Sequence, residues 1–186
     1  GPGSAIRPDV DDTACVWLAL GDAGERCPEG VLAAVDGAAV EGGGFANDFD
    51  TTAPAAIEVA STTAALALLA RGGRSRDAAV RYVERKTEEL CAGALPSGFF
   101  FPSRFFAAFV VTRAAVDLGV SSLASSAQRL AAWVAKHARP EGPLLERSFA
   151  LWVLEATAGP TSVRGALAAS IAETATRDDH EDEPWF

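Results

Sequence analysis

Apolar positions along this chain fall into two alternating kinds of segment. Residues 57–70 (IEVASTTAALALLA) carry no charge after Glu58 and are apolar nearly all round. Residues 76–92 differ. There Ala79, Tyr82, Val83, Leu90 and the stem of Lys86 share one face, while Arg81, Glu84, Arg85, Glu88 and Glu89 lie mostly off it. A helix that is apolar all round is buried; one with a single apolar stripe covers it from outside. The alternation recurs. Residues 12–20, 104–118 and 146–157 read as buried helices. Residues 29–40, 122–138 and 161–175 read as covers, with Leu123, Leu130 and Val134 inward on one and Val163, Leu167 and Ile171 inward on another.

Glycine and proline punctuate these segments at Gly21, Gly24, Gly72-Gly73, Gly119, Gly142-Pro143 and Gly159-Pro160. Strand-like alternation is missing, and alanine and leucine dominate the apolar set. The buried segments start near positions 12, 57, 104 and 146, a loose repeat of roughly forty residues. The pattern predicts an all-α protein of four helix hairpins, inner helices ringed by outer ones, as in an α/α toroid. Two long loops, 41–56 and 93–103, interrupt it. Loops of that length in a compact domain are often functional.

Length and charge narrow the picture. The chain has 186 residues, enough for one domain with a sizeable core. Residues 5–176 are read as that single barrel-like domain. Gly1-Pro2-Gly3-Ser4 reads as the remnant of a protease-cleavage site, and 177–186 as an acidic tail. A net charge of −9 and a pI near 4.7 argue against nucleic acid and anionic membrane as partners. No apolar run has the length and purity of a membrane span; the longest, Phe99 to Val111, is broken by Pro102 and Arg104. Cys15, Cys27 and Cys91 show neither a C-x-x-C pair nor zinc-ligand spacing. They are expected to be reduced thiols in a cytoplasmic protein.

Chemistry concentrates at the start of the first buried segment. Asp9-Val10-Asp11-Asp12-Thr13-Ala14 places three carboxylates in four residues, directly before the apolar run Cys15 to Leu20. One reading is a helix start, since Asp is a favoured N-cap and acids in a first turn complement the helix dipole. The other is a proton donor. Crowded carboxylates at the mouth of an apolar element cannot all ionise cheaply, so one keeps its proton at neutral pH.

This segment resembles the D-x-D-D-T-A motif of class II terpene cyclases, the family of squalene–hopene cyclases and copalyl-diphosphate-synthase-like enzymes. The resemblance continues in Gly42-Gly43-Gly44-Phe45, in Ser61-Thr62-Thr63-Ala64-Ala65-Leu66, in Phe99 to Phe106 and in Glu146-Arg147-Ser148-Phe149-Ala150-Leu151. It spans roughly Pro8 to Gly159, and its specific match is the first six residues. It implies an α/α barrel whose motif opens an inner helix. It implies Asp11 as general acid, with Asp9 and Asp12 holding its proton in place. The family uses six hairpins per barrel and usually two barrels, so this chain is short of a full barrel. The QW-type repeats of triterpene cyclases are absent, and Thr63-Ala64-Ala65 stands where many diterpene relatives have Asn-Ala-His.

The resemblance implies proton-initiated cyclisation of a linear isoprenoid alkene or epoxide. No cofactor is required for that step, and Mg2+ enters only with a diphosphate substrate. Trp17, Phe99, Phe100, Phe101, Phe105 and Trp152 are the candidates for lining the pocket, where ring faces stabilise carbocations and exclude water. Core packing is the alternative for most of them, as for Phe106 and Phe109. A second reading is a non-catalytic or partner-dependent module that binds a hydrophobic ligand or protein. There a homodimer or partner subunit would complete the barrel and cover its apolar faces. A third keeps the scaffold and changes the reaction, for example to cyclisation of a polyketide-like chain.

The remaining polar clusters carry less. Asp178-Asp179-His180-Glu181-Asp182 mimics the D-D-x-x-D magnesium motif of class I terpene synthases, but its place in a terminal acidic run marks a solubilising tail. Asn47-Asp48-Phe49-Asp50 reads as turn chemistry, with a cation or polar head group as the alternative. His137 is expected near a helix C-terminus, where a cation is welcome. Gly42–Gly44 lacks the lysine and strand–helix setting of a phosphate loop.

Overall fold

The computed structural model describes residues 9–49, 57–93 and 103–176. Three of the predicted pocket residues, Phe99, Phe100 and Phe101, lie outside the described residues, as do Asp50 and the acidic tail. Among the described residues the chain is all-helical and forms no strand. Its helices are α1 (Val10–Asp22), α2 (Glu29–Gly37), α3 (Val59–Arg71), α4 (Asp77–Cys91), α5 (Arg104–Val116), α6 (Ala124–His137), α7 (Leu144–Ala156) and α8 (Thr161–Ala175), with a 3-10 turn at Ser121–Leu123 before α6. The chain divides into two units, Gly1–Tyr82 and Val83–Phe186, and the division falls inside α4.

In the first unit α1 and α2 both pack on α3. The uncharged run of α3 is buried without a break from Ala60 to Leu69. Two of its hydroxyls are hydrogen-bonded, one within the helix and one to the preceding loop. Thr63 Oγ1 donates to the Val59 carbonyl at 2.6 Å, and Thr62 Oγ1 accepts from the Phe45 amide at 3.1 Å. On α1 the buried stripe is Val10, Ala14 and Leu18, spaced by one helical turn.

Residues 38–49 form a loop tied to its neighbours by isolated backbone bridges, Asp9 to Asp48, Ala39 to Phe45 and Ala46 to Ile57. Phe45 is fully buried. Gly43, at φ 93°, lies so close to α4 that a Cβ there would stand 2.2 Å from the Ala78 carbonyl oxygen. Only glycine fits that approach and that left-handed backbone. Ion pairs brace the other end of the unit. Asp36 on α2 accepts from Arg76 Nε at 2.5 Å and from Arg74 Nη1 at 3.2 Å. The Arg76 hydrogen bond holds the Asp36 carboxyl below its ordinary range, against a smaller opposing effect of burial.

In the second unit α5 packs on α7, α6 lies against both, and α8 lies against α7. The predicted inward residues Leu123, Leu130, Val134 and Leu167 are buried. Val163 and Ile171 are half-buried. Arg147 on α7 is 4% exposed, and its Nη1 donates to the Ser170 carbonyl and to Thr174 Oγ1 of α8, each at 3.0 Å. Sequence reading did not foresee a buried guanidinium in this helix.

The inner segments depart from expectation in two respects. Residues 12–20 were expected to be buried, yet Cys15, Val16, Ala19 and Leu20 are exposed, Val16 by 55%. At 100° per residue these four fall on the side of α1 away from the Val10–Ala14–Leu18 stripe that meets α3. In α5 and α7 the phenylalanines and Trp152 are half-buried rather than enclosed. The cover expected over 29–40 ends at Gly37, because Val40 turns to donate to the Gly44 carbonyl.

Phe45→Ala should destabilise the chain by about 3–5 kcal/mol, the usual cost of emptying a buried phenylalanine site, read by urea unfolding. Gly43→Ala should also destabilise, through backbone overlap instead of a cavity. Unfolding midpoints within error of the unsubstituted chain for both would show that this loop is not part of the packed structure.

Candidate active site

Three aspartates of one sequence cluster end in three environments, and helix geometry separates them. Asp9 stands outside α1 in extended conformation and caps it: its Oδ1 accepts from the Asp12 amide at 2.6 Å. Asp12 projects into solvent. Asp11 lies seven residues before the buried Leu18, hence on nearly the same azimuth of the helix, and is half-buried. The helix-start reading therefore holds for Asp9, and the dehydrated carboxyl is Asp11.

The Asp11 pKa is raised from 3.8 to about 6, with burial as the largest cause. The charges of Asp9, Asp12 and Glu58 contribute to the same rise in descending order, and a hydrogen bond from Cys15 opposes it. Desolvation and like charge both penalise the ionised form. Cys15, one turn on, donates from Sγ to Asp11 Oδ1 at 3.9 Å. Asp9 and Asp12 act on Asp11 through charge; among the described residues neither hydrogen-bonds to it.

Glu58 was not among the residues singled out from the sequence. It is the residue that precedes α3, in extended conformation, and its carboxylate joins the set acting on Asp11. The signal was present: Glu58 is the last ionisable residue before the uncharged run that ends at Ala70. Its position beside α1 follows from the loop. The Val10 amide donates to the Asn47 carbonyl at 2.8 Å, Asp9 pairs with Asp48, and Ala46 pairs with Ile57. Asn47 and Asp48 thus serve as turn and bridge residues.

The aromatic candidates have different local neighbours in each unit. Trp17 borders the buried stripe of α1 on the side opposite Asp11. It lines a recess of about 560 Å3 at the C-terminal end of the helix, with Leu32, Leu68, Cys27 and Arg71. Asp11 does not line that recess. In the second unit Phe109 is the hub of a ring cluster. Its centroid lies 5.1 Å from Phe149, 4.9 Å from Trp152 and 6.3 Å from Phe106, and Phe106 lies 5.3 Å from Phe149. Phe105 belongs elsewhere, 5.2 Å from Trp133. The sequence singled out Trp152 as a pocket candidate, offered core packing for Phe109 and gave Phe149 no role beyond the resembling segment. The structure places all three in one half-buried array.

Among the described residues no group of three or more His, Cys, Asp or Glu side chains is placed to hold a metal ion. No helix there is long and apolar enough to cross a membrane. Comparison with known protein families, with curated proteins and with solved structures returns no match.

The Asp11 environment has a consequence for stability. A carboxyl with a raised folded-state pKa binds its proton more tightly when folded. Its ionisation therefore weakens the fold as pH rises from about 4 towards about 6, and the loss persists above that. Asp11→Asn should be more stable than the unsubstituted chain at pH 8 and indistinguishable from it below about pH 4. Unfolding midpoints across that range would read the difference, and parallel curves would show that Asp11 is hydrated in the folded chain. Cys15→Ala should move the Asp11 titration further up, observable by carboxyl NMR, because it removes the hydrogen bond that favours the carboxylate.

Proposed function

We propose that the chain is a class II terpene cyclase-like domain in which Asp11 protonates a linear isoprenoid. The observation that carries this reading is a half-buried carboxyl with its pKa raised to about 6, inside the D-x-D-D-T-A segment. A general acid works best with a pKa near the working pH. The proton passes from Asp11 to the terminal alkene carbon, or to the oxygen of an epoxide. The π electrons, or a lone pair, form the new bond, and a tertiary cation is left for ring closure. Transfer turns Asp11 into a carboxylate, which the Cys15 thiol favours. Loss of a proton from the last cation closes the balance as an isomerisation. No metal enters this step. Mg2+ would be needed only to hold a diphosphate on the substrate.

The packing of odd-numbered helices on one another, α1 on α3 and α5 on α7, supports a section of an α/α toroid. The rings of Phe106, Phe109, Phe149 and Trp152 supply π faces of the kind that cyclisation requires. Phe99, Phe100, Phe101, Phe105 and Trp17 remain candidates for substrate contact on the resemblance alone.

A second reading has its own support. Val16, Leu20, Ile57 and Val116 are exposed, and the α5–α7 ring array is half-buried. Apolar faces of this kind favour a module that closes on a partner, a second copy or a bound hydrophobe without performing chemistry.

The test is incubation with linear prenyl alkenes and epoxides, followed by product analysis. Conversion should occur, should fall as pH rises above about 6, and should drop by about a hundredfold or more in Asp11→Asn. Equal product from both proteins removes Asp11 from the mechanism. No conversion, together with a stable dimer or co-purified lipid by native mass spectrometry, favours the second reading.

A further inference from the structure

Glu58 and Thr62 stand one turn apart at the start of α3, and the Thr62 amide donates to the Glu58 carbonyl at 3.0 Å. Thr62 is fully buried, and its Oγ1 accepts from the Phe45 amide at 3.1 Å. From there three consecutive residues reach three places. Phe45 is held on the side of α3, Ala46 pairs with Ile57 just before α3, and the Asn47 carbonyl accepts from the Val10 amide at 2.8 Å. Asp11 is the residue after Val10. Two residue steps of extended chain span at most about 7 Å. With Phe45 fixed on Thr62, Asn47 and the first turn of α1 have little room to move away from Glu58.

One side-chain acceptor closes this circuit. Phe45 is 0% exposed, so its amide has no water to turn to if the Thr62 oxygen is removed. A buried N–H without an acceptor is costly. The Phe45–Asn47 strip would shift until that amide is hydrated or finds another partner. That shift moves the strip off the start of α1 and lets water reach Asp11. Thr63 is the contrast. It is equally buried, but its hydroxyl bonds within its own helix, to the Val59 carbonyl at 2.6 Å.

We propose that Thr62 is a positioning residue for Asp11: its hydroxyl holds the Phe45–Asn47 strip, and through that strip it keeps the acid beside Glu58 and away from water. Thr62 does this through the loop, because its oxygen is committed to the Phe45 amide. The groups that act on Asp11 itself are Asp9 and Asp12 from its own segment, Glu58 from the start of α3, and the Cys15 thiol. The loop adds Asp48, whose backbone is bridged to Asp9. The assignment goes beyond the proposed chemistry and does not need it, since it concerns how the acid is packed.

Carboxyl NMR of the full chain reads the Asp11 titration directly, and prenyl conversion plays no part in it. Thr62→Val keeps the shape of the side chain and removes the acceptor. The Asp11 pKa should then fall from about 6 by about one unit, a tenfold loss of proton affinity. Thr62→Ser restores the hydroxyl and should restore the titration. Thr63→Val removes an equally buried hydroxyl and should leave the Asp11 titration where it is. Amide hydrogen exchange of the unsubstituted chain is a second measurement that needs no variant to fold. The Phe45 and Val10 amides should be protected and should exchange together, as parts of one opening unit. An Asp11 titration unmoved in Thr62→Val, an equal fall in Thr63→Val, or an unprotected Phe45 amide would overturn the role of Thr62 and leave the raised acid standing. An Asp11 that titrates near 3.8 in the unsubstituted chain would overturn both that role and the observation behind the proposed chemistry.

Discussion

The seating of loop 38–49 against α1 and α3 is the constraint on which the candidate site depends. Three contacts define it: the Val10 amide on the Asn47 carbonyl, the Phe45 amide on Thr62 Oγ1, and the buried Phe45 ring. Together they set the start of α1 beside the residue that opens α3. Without them Asp9 would still cap a helix, since that bond is local. Asp11 and Glu58, forty-seven positions apart in the numbering, would have no reason to share a field. The glycines of this loop belong to the same constraint, because the Ala78 carbonyl leaves no space for a Cβ at Gly43.

Given that seating, Asp11 owes its character to being the one carboxyl of its cluster on the packed side of a helix. Dehydration is the largest cause of its raised pKa, and like charges come after it. A protein that needed only a helix cap would be served by Asp9 alone. Asp11 at the edge of the core weakens the fold at neutral pH. Such local conflicts between stability and placement concentrate at functional sites. The Cys15 thiol works in the opposite direction and favours the conjugate base. Dehydration thus favours the proton on Asp11, while the thiol stabilises the carboxylate that remains when the proton leaves.

The second unit combines two kinds of chemistry at some remove from each other along its helices. Phe109, Phe149 and Trp152 form a ring array between α5 and α7. Arg147, on the same helix as Phe149 and Trp152, is directed to α8 and to the α6–α7 corner. One helix therefore shows an apolar ring face and a buried cation on different sides. Such a helix is held by neighbours on most of its circumference, as its packing against α5, α6 and α8 shows.

The all-α fold, the order of its helices and the inward faces of its covers were legible in the sequence. They rest on short-range periodicity and on glycine and proline, which act over a few residues. The uncharged run of α3 declared its own burial, and Asp9 its role as a cap. Less was legible where an outcome depended on what lies opposite. Val16 and Leu20 are as apolar as Leu18, and only the position of α3 decided which of them meets water. Glu58, Arg147 and the different ring partners of Phe105 and Trp152 escaped for the same reason. The chain by itself determined which segments coil and which of their sides are greasy, because those are properties of neighbours along the backbone. Tertiary structure alone decided which aspartate loses its water and which charges crowd it, because desolvation and Coulomb repulsion depend on distance through space.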